Sequence, residues 1–144
     1  MASRTLTLTV LDDLFAVCRL PASAEVPGWA SGGTFVSITR TPDELSVICP
    51  AHVVPADVTT SKDWRCLKVE GPFAFEEIGV LHALAGPLAE ANISMLAVAT
   101  YDTDYLLVRA SDVSAAIRAL TQAGHAVRWQ RHADPAAPVE DGQG

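Results

Sequence analysis

From residue 5 to residue 11 the chain alternates threonine with leucine and valine, the period of two expected of a strand with one buried face. Asp12-Asp13 predicts a turn, and residues 14–20 a second strand ended by Pro21. Residues 21–33 carry Pro, Gly, Ala and Ser without a period, leaving room for one helical turn around Trp29. Residues 35–39 and 45–49 predict two strands, joined by Arg40-Thr41-Pro42-Asp43-Glu44, whose Pro and Asp suit a hairpin. Pro50 and Pro55 interrupt the chain, and residues 65–70 form the next strand, closed by Gly71-Pro72.

The second half has a clearer period. Ile78, Leu81, Leu84, Ala85, Leu88 and Ile93 recur at helical spacing, which predicts a helix from Phe75 or Glu76 to Asn92. Glu76 and Glu77 then suit the positive end of its dipole. Pro87 lies inside it and has no N–H to offer the carbonyl of Ala83, so a bend is expected there. Residues 94–100 and 105–109 predict a hairpin through Tyr101-Asp102-Thr103-Asp104. Ser111 or Asp112 opens a second helix with Val113, Ile117 and Leu120 inward; Gly124 ends it, and residues 126–130 are the last strand. The order β-α-β-β-α-β over residues 65–130 is ferredoxin-like, so the fold class is α+β. The stretch 39–45 can be laid on 100–106, Thr39 over Thr100 and Asp43 over Asp104. That suggests one module duplicated, its first copy short of helices.

Composition narrows the function classes. Of 144 residues, 49% are hydrophobic and 19% charged, which is enough to bury a core and too apolar for a disordered chain. A formal net charge of −7 argues against nucleic-acid and anionic-membrane partners, both of which need a basic patch. No apolar run approaches the ~18 residues that span a bilayer, and the first thirteen residues lack a signal-peptide core, so a cytoplasmic protein is expected. Cys18, Cys49 and Cys66 lie in apolar, strand-like runs without a CxxC spacing and read as buried, reduced thiols. Residues 132–144 are small, acidic and Pro-rich, the composition of a disordered tail.

Candidate chemistry is sparse. There is no GxSxG, HExxH, Walker loop or GxGxxG, and His52, His82, His125 and His132 share no metal-ligand spacing. Neighbouring Glu76 and Glu77 would diverge on a helix and make a poor acid–base pair. The expectation is therefore no enzyme, no cofactor and no metal. One place for a zwitterion does emerge. The helix start at residues 73–79, with small Gly79, offers unpaired N–H groups to a carboxylate. Asp104 of the hairpin would accept from an ammonium, with Thr100 assisting. Asp102 and Asp104 suit a plain turn equally well, and Phe73 and Phe75 a place in the core.

Five ordered blocks are similar to CASTOR-type ACT-domain proteins: FVSITRTPDELSVI at 35–48, WRCLKVEGP at 64–72, FEEIGV at 75–80, GPLAEANIS at 86–94 and TYDTDYLLV at 100–108. The resemblance covers about residues 10–130. It implies tandem ACT modules with antiparallel sheets: a reduced N-terminal module at 1–63 and an ACT domain at 64–131, followed by the tail. Animal members of that family are cytosolic arginine sensors that look like two such chains fused. The resemblance therefore implies a non-catalytic sensor holding a free L-amino acid between modules. Ala74, Phe75, Glu77, Ile78 and Gly79 match its lid segment; Thr100, Tyr101 and Asp104 match ligand contacts. Ser94 and Met95 match contacts from the other module, here a second subunit of a homodimer. The animal sensor has glycine where Ala74 stands and a smaller β-branched residue in place of Met95, which reshapes the pocket. Arginine is thus one candidate ligand and an aromatic amino acid another, and the downstream protein is unnamed. The alternative reading is a ligand-free dimerisation or protein-interaction module.

Overall fold

The structure, a computed structural model, describes residues 4–74 and 78–130. Its strands are β1 (Thr7–Leu20), β2 (Ser37–Arg40), β3 (Leu45–Pro50), β4 (Thr59–Val69), β5 (Met95–Ala99), β6 (Asp104–Arg109) and β7 (Ala126–Trp129). Its helices are α1 (Val80–Glu90) and α2 (Val113–Gln122). They build one sheet in the order β2-β3-β1-β4-β6-β5, with β7 also pairing β1. Among the described residues β1–β7 is the one parallel pairing; the rest of the sheet is antiparallel.

The predicted turn at Asp12-Asp13 is instead a bulge inside a fourteen-residue strand, where the register against β4 shifts between Val10 and Leu14. Tertiary partners make this possible. The Gln130 side-chain carbonyl accepts the Asp12 N–H at 2.9 Å, and the Arg65 guanidinium donates to the carbonyls of Asp12 and Asp13 at 2.9 and 3.3 Å. The backbone groups that would have closed a turn are satisfied without one. β4 likewise starts six residues before the predicted strand. Position 63/64 therefore falls inside β4, and β1 pairs with β4 on one side and with both β7 and β3 on the other.

Strand alternation sends Leu8, Val10, Leu67, Val69, Leu106 and Val108 to one face, where α1 and α2 cover them with Val80, Leu84, Leu88, Ala116 and Leu120. Trp64, Cys66 and Leu107 point to the other face and pack with Leu11, Phe15, Phe35 and Ile48. Helix α1 begins at Val80, later than the periodicity predicts. Gly79 before it has φ 86°, a left-handed conformation that cannot continue an α-helix, so no acidic residue lies in the first turn. Phe75, Glu76 and Glu77 lie outside the described residues. Gly124, at φ 100°, follows α2 as expected.

The sheet order is unchanged when β1 is exchanged with β4, β3 with β6 and β2 with β5, which is the mark of two modules around a pseudo-two-fold axis. The register of the repeat differs from the sequence alignment by two residues. Thr41 N–H donates to Glu44 and Thr100 N–H to Thr103, both at 2.9 Å, and in both turns the threonine hydroxyl also accepts the returning N–H. Thr41 therefore corresponds to Thr100, Asp43 to Asp102 and Leu45 to Asp104. The threonine hydroxyl, not the aspartate spacing, defines the turn.

All three cysteines are free and buried. Burial in apolar surroundings pushes the Cys49 and Cys66 thiols up to about 12 and raises that of Cys18. Native protein at pH 8 is expected to give no reaction with a thiol-specific disulfide reagent, and three equivalents once unfolded; rapid native labelling would contradict this packing. Because the folded thiols stay protonated where unfolded ones ionise, their contribution to stability is fully present below pH 9 and is lost between pH 9 and about 12.

Candidate functional site

The turn between β5 and β6 is built by threonines. The Thr100 hydroxyl donates to the Thr103 carbonyl at 2.9 Å and accepts the Thr103 N–H at 3.3 Å. The Thr103 hydroxyl, itself buried, donates to the Val69 carbonyl at 2.5 Å, tying the turn to the end of β4. Phe73 N–H donates to the Asp102 carbonyl at 2.8 Å. At Gly71 a Cβ would stand 3.1 Å from Phe73 N and 3.2 Å from the Asp102 carbonyl, so a larger residue there would press on this bond and push its partners apart by a few tenths of an ångström. The bend and the segment leading to α1 are thus held together before any ligand arrives.

Between them lies a cavity of about 250 Å³. Phe73, Val80 and Ala99 supply apolar wall, with the Arg4 guanidinium 5.8 Å from the Phe73 ring centre. Thr100, Tyr101, Asp102, Thr103 and Asp104 supply the polar rim. The Asp104 carboxylate is half-buried and has no hydrogen bond or ion pair among the described residues. Val80 opens α1, so the first, unpaired N–H groups of that helix start at the cavity wall. The arrangement puts a carboxylate without a partner among the described residues on the same cavity as the first residue of a helix, the pair of poles that a zwitterion needs.

The structure brings Ala74, Thr100, Tyr101 and Asp104 of the predicted set into this cavity. Ile78 and Gly79 line a different one, of about 660 Å³, on the flank of α1 that faces His82 and His125. Ser94 and Met95 stand at the opposite end of β5 from Thr100 and do not reach the cavity within one chain. Phe75 and Glu77 lie outside the described residues. Sequence reasoning misses Val80 and Thr103. Val80 falls inside the helix that the periodicity starts earlier, and Thr103 is one hydroxyl in a polar turn with no local sign of its long-range bond. Thr100 changes role: its hydroxyl and its N–H are engaged within the turn, so what it offers a ligand is the hydroxyl's second lone pair and its carbonyl.

Residues 59–122 match the family model of the ACT domain, and residues 13–57 match a second model, of an N-terminal domain. The chain is 30% identical over 122 residues to the cytosolic arginine sensor for mTORC1 subunit 1 of Pongo abelii, covering 78% of this chain and 37% of that protein. It thus spans little more than a third of that curated relative. A crystal structure of an Agobacterium tumefaciens protein has a TM-score of 0.85 at 41% identity, over 90% of this chain and 97% of that one. The ligand-free regulatory subunit of aspartate kinase from Thermus thermophilus has a TM-score of 0.56 at 12% identity, over 85% and 99% of the two chains, a likeness of fold alone.

Proposed function

Because the chain belongs to the ACT-domain family, we propose that it is a non-catalytic regulatory protein that binds a free L-amino acid in the cavity beside Asp104. The observation that carries this reading is the half-buried Asp104 carboxylate, without a partner among the described residues, on the cavity at the start of α1. The α-ammonium goes to Asp104, the α-carboxylate to the N–H groups opening α1, and the side chain to the Phe73–Val80 wall. Asp102 adds a second carboxylate to the rim, which favours a cationic side chain; Phe73 and Tyr101 keep an aromatic one in play. Arginine, named in the animal relatives, is the first probe. Ser94 and Met95 enter the site from a second copy.

No catalytic role is proposed, since the ionisable groups of this cavity are Asp102, Asp104 and Tyr101, without a nucleophile and base in contact. No helix among the described residues is long and apolar enough to cross a membrane. We place the protein in the cytosol, as the relatives' name places them, with its signal read by another protein. A thermal-shift screen of the twenty amino acids at about 10 mM tests the reading. One or two should raise the melting temperature, and ligand at 100 times its dissociation constant should add about 2.7 kcal/mol. A flat response across all twenty would leave the ligand-free assembly module as the better account.

A further inference from the structure

We propose that the first module holds a guanidinium site at its own counterpart of the Asp104 cavity, and that the chain closes this site with the side chain of Arg40. The pairing registers fix which residues correspond. Arg40 pairs with Leu45 as Ala99 pairs with Asp104, so Arg40 stands where Ala99 does. Arg19 pairs with Ser46 as Lys68 pairs with Tyr105. Arg19 therefore matches Lys68, and Ala22, three positions on, matches Gly71. The two turns share one threonine-built form. They differ in what fills the space beside them.

Beside the second turn the matching side chain stops at Cβ, and Ala99 lines the cavity. Beside the first, the Arg40 guanidinium reaches over to the segment that follows β1 and donates to the Ala22 carbonyl. On the opposite face of the sheet Arg19 donates to the Asp43 carbonyl at 2.9 Å, with its Nε 4.0 Å from the Glu44 carboxylate. The matching carbonyl of the second module, that of Asp102, takes the Phe73 N–H instead. Where the second module leaves a cavity, the first thus places a cation on a carbonyl oxygen. Leu45, 0% exposed, replaces Asp104 and removes the carboxylate that would hold an ammonium. What remains suits a flat cation with several donors, which is a guanidinium. With Arg40 in place the chain is its own occupant there, and only the second turn is open to a solute. The inference rests on the repeat and its hydrogen bonds, not on amino-acid binding at Asp104.

Arg40→Ala, which gives the first module the residue type that the second has at this place, opens the site. The probe is ethylguanidinium chloride, titrated into the full chain and followed by amide NMR shifts at constant ionic strength. Its neutral analogue ethylurea is the control. In wild-type protein the amides of Ala22, Ala24 and Thr41 should stay still. In Arg40→Ala they should move with ethylguanidinium, saturating on the order of 10–100 mM, as one charge-assisted contact allows. Ethylurea should leave them in place. Three results would each overturn the proposal: no movement in the variant, equal movement with ethylurea, or movement already in wild type. The first would mean that Arg40 only caps the loop. Shifts around Thr100–Asp104 report separately on the second cavity, so either reading can fail without the other. Should Arg40→Ala not fold, Arg40→Thr, a better strand former, is read by the same criteria.

Discussion

Asp104→Asn is expected to weaken amino-acid binding by roughly 10- to 150-fold, the loss of one charge-assisted hydrogen bond, while ligand-free protein melts at the same temperature or slightly higher. The two halves of this expectation share one cause. The carboxylate has no partner among the described residues, so removing its charge breaks nothing within the chain and relieves the cost of holding it half-buried. A turn residue would behave otherwise, because losing its local bonds would lower the melting temperature and leave affinity alone. Asp102→Asn is the control. Asp102 is exposed at the rim, and solvent screens it, so about a threefold change at most is expected. Calorimetric titration of both variants with the amino acid that gives the largest thermal shift measures this. Equal losses at the two positions would mean that general rim charge, not a specific contact, holds the ligand.

His125→Leu is expected to lower the melting temperature by 10 °C or more, an effect on the order of 2–5 kcal/mol. His125 is 4% exposed. Its Nδ1 accepts the N–H of Leu6 at 3.1 Å, so Nε2 carries the ring proton and donates to the carbonyl of Ala83 at 3.0 Å. That carbonyl is the one left over because Pro87 has no N–H to give it. The imidazole therefore replaces the missing helix bond and links α1 to the residue that leads into β1. Leucine fills the space and strands two buried polar groups. A double-mutant cycle separates this from simple packing. In Pro87→Ala the helix supplies its own N–H to Ala83, and His125→Leu should then cost about 1–3 kcal/mol less. Additive costs in a denaturant or thermal melt would show that His125 contributes only volume.

This pair of residues shows where reading the chain succeeds and where it stops. That Pro87 frees the carbonyl of Ala83 follows from the sequence, because the donor and the acceptor lie four residues apart. That His125 receives it does not, because a histidine spaced for no ligand set looks like any other. The site divides in the same way. Ala74, Thr100, Tyr101 and Asp104 are legible from a helix start, a hairpin and a resemblance, and they share the cavity. Ile78 and Gly79 do not join them, because Gly79 turns left-handed and delays the helix to Val80. The Thr103 bond to Val69 spans 34 residues, and no period or motif within the hairpin foretells it.

The local periods of two and 3.6 determined the order of strands and helices from residue 35 onward, both hairpins, the class of the fold and the acidic turn that leads into Asp104. Each of these depends on neighbours within a few positions, so the chain states them directly. Only the tertiary structure decided that β1 runs unbroken through Asp12-Asp13, that the repeat aligns Leu45 with Asp104, and that β5 ends the sheet. Those outcomes come from bonds such as that between Leu6 and His125, 119 positions apart, whose geometry exists only once the sheet has closed.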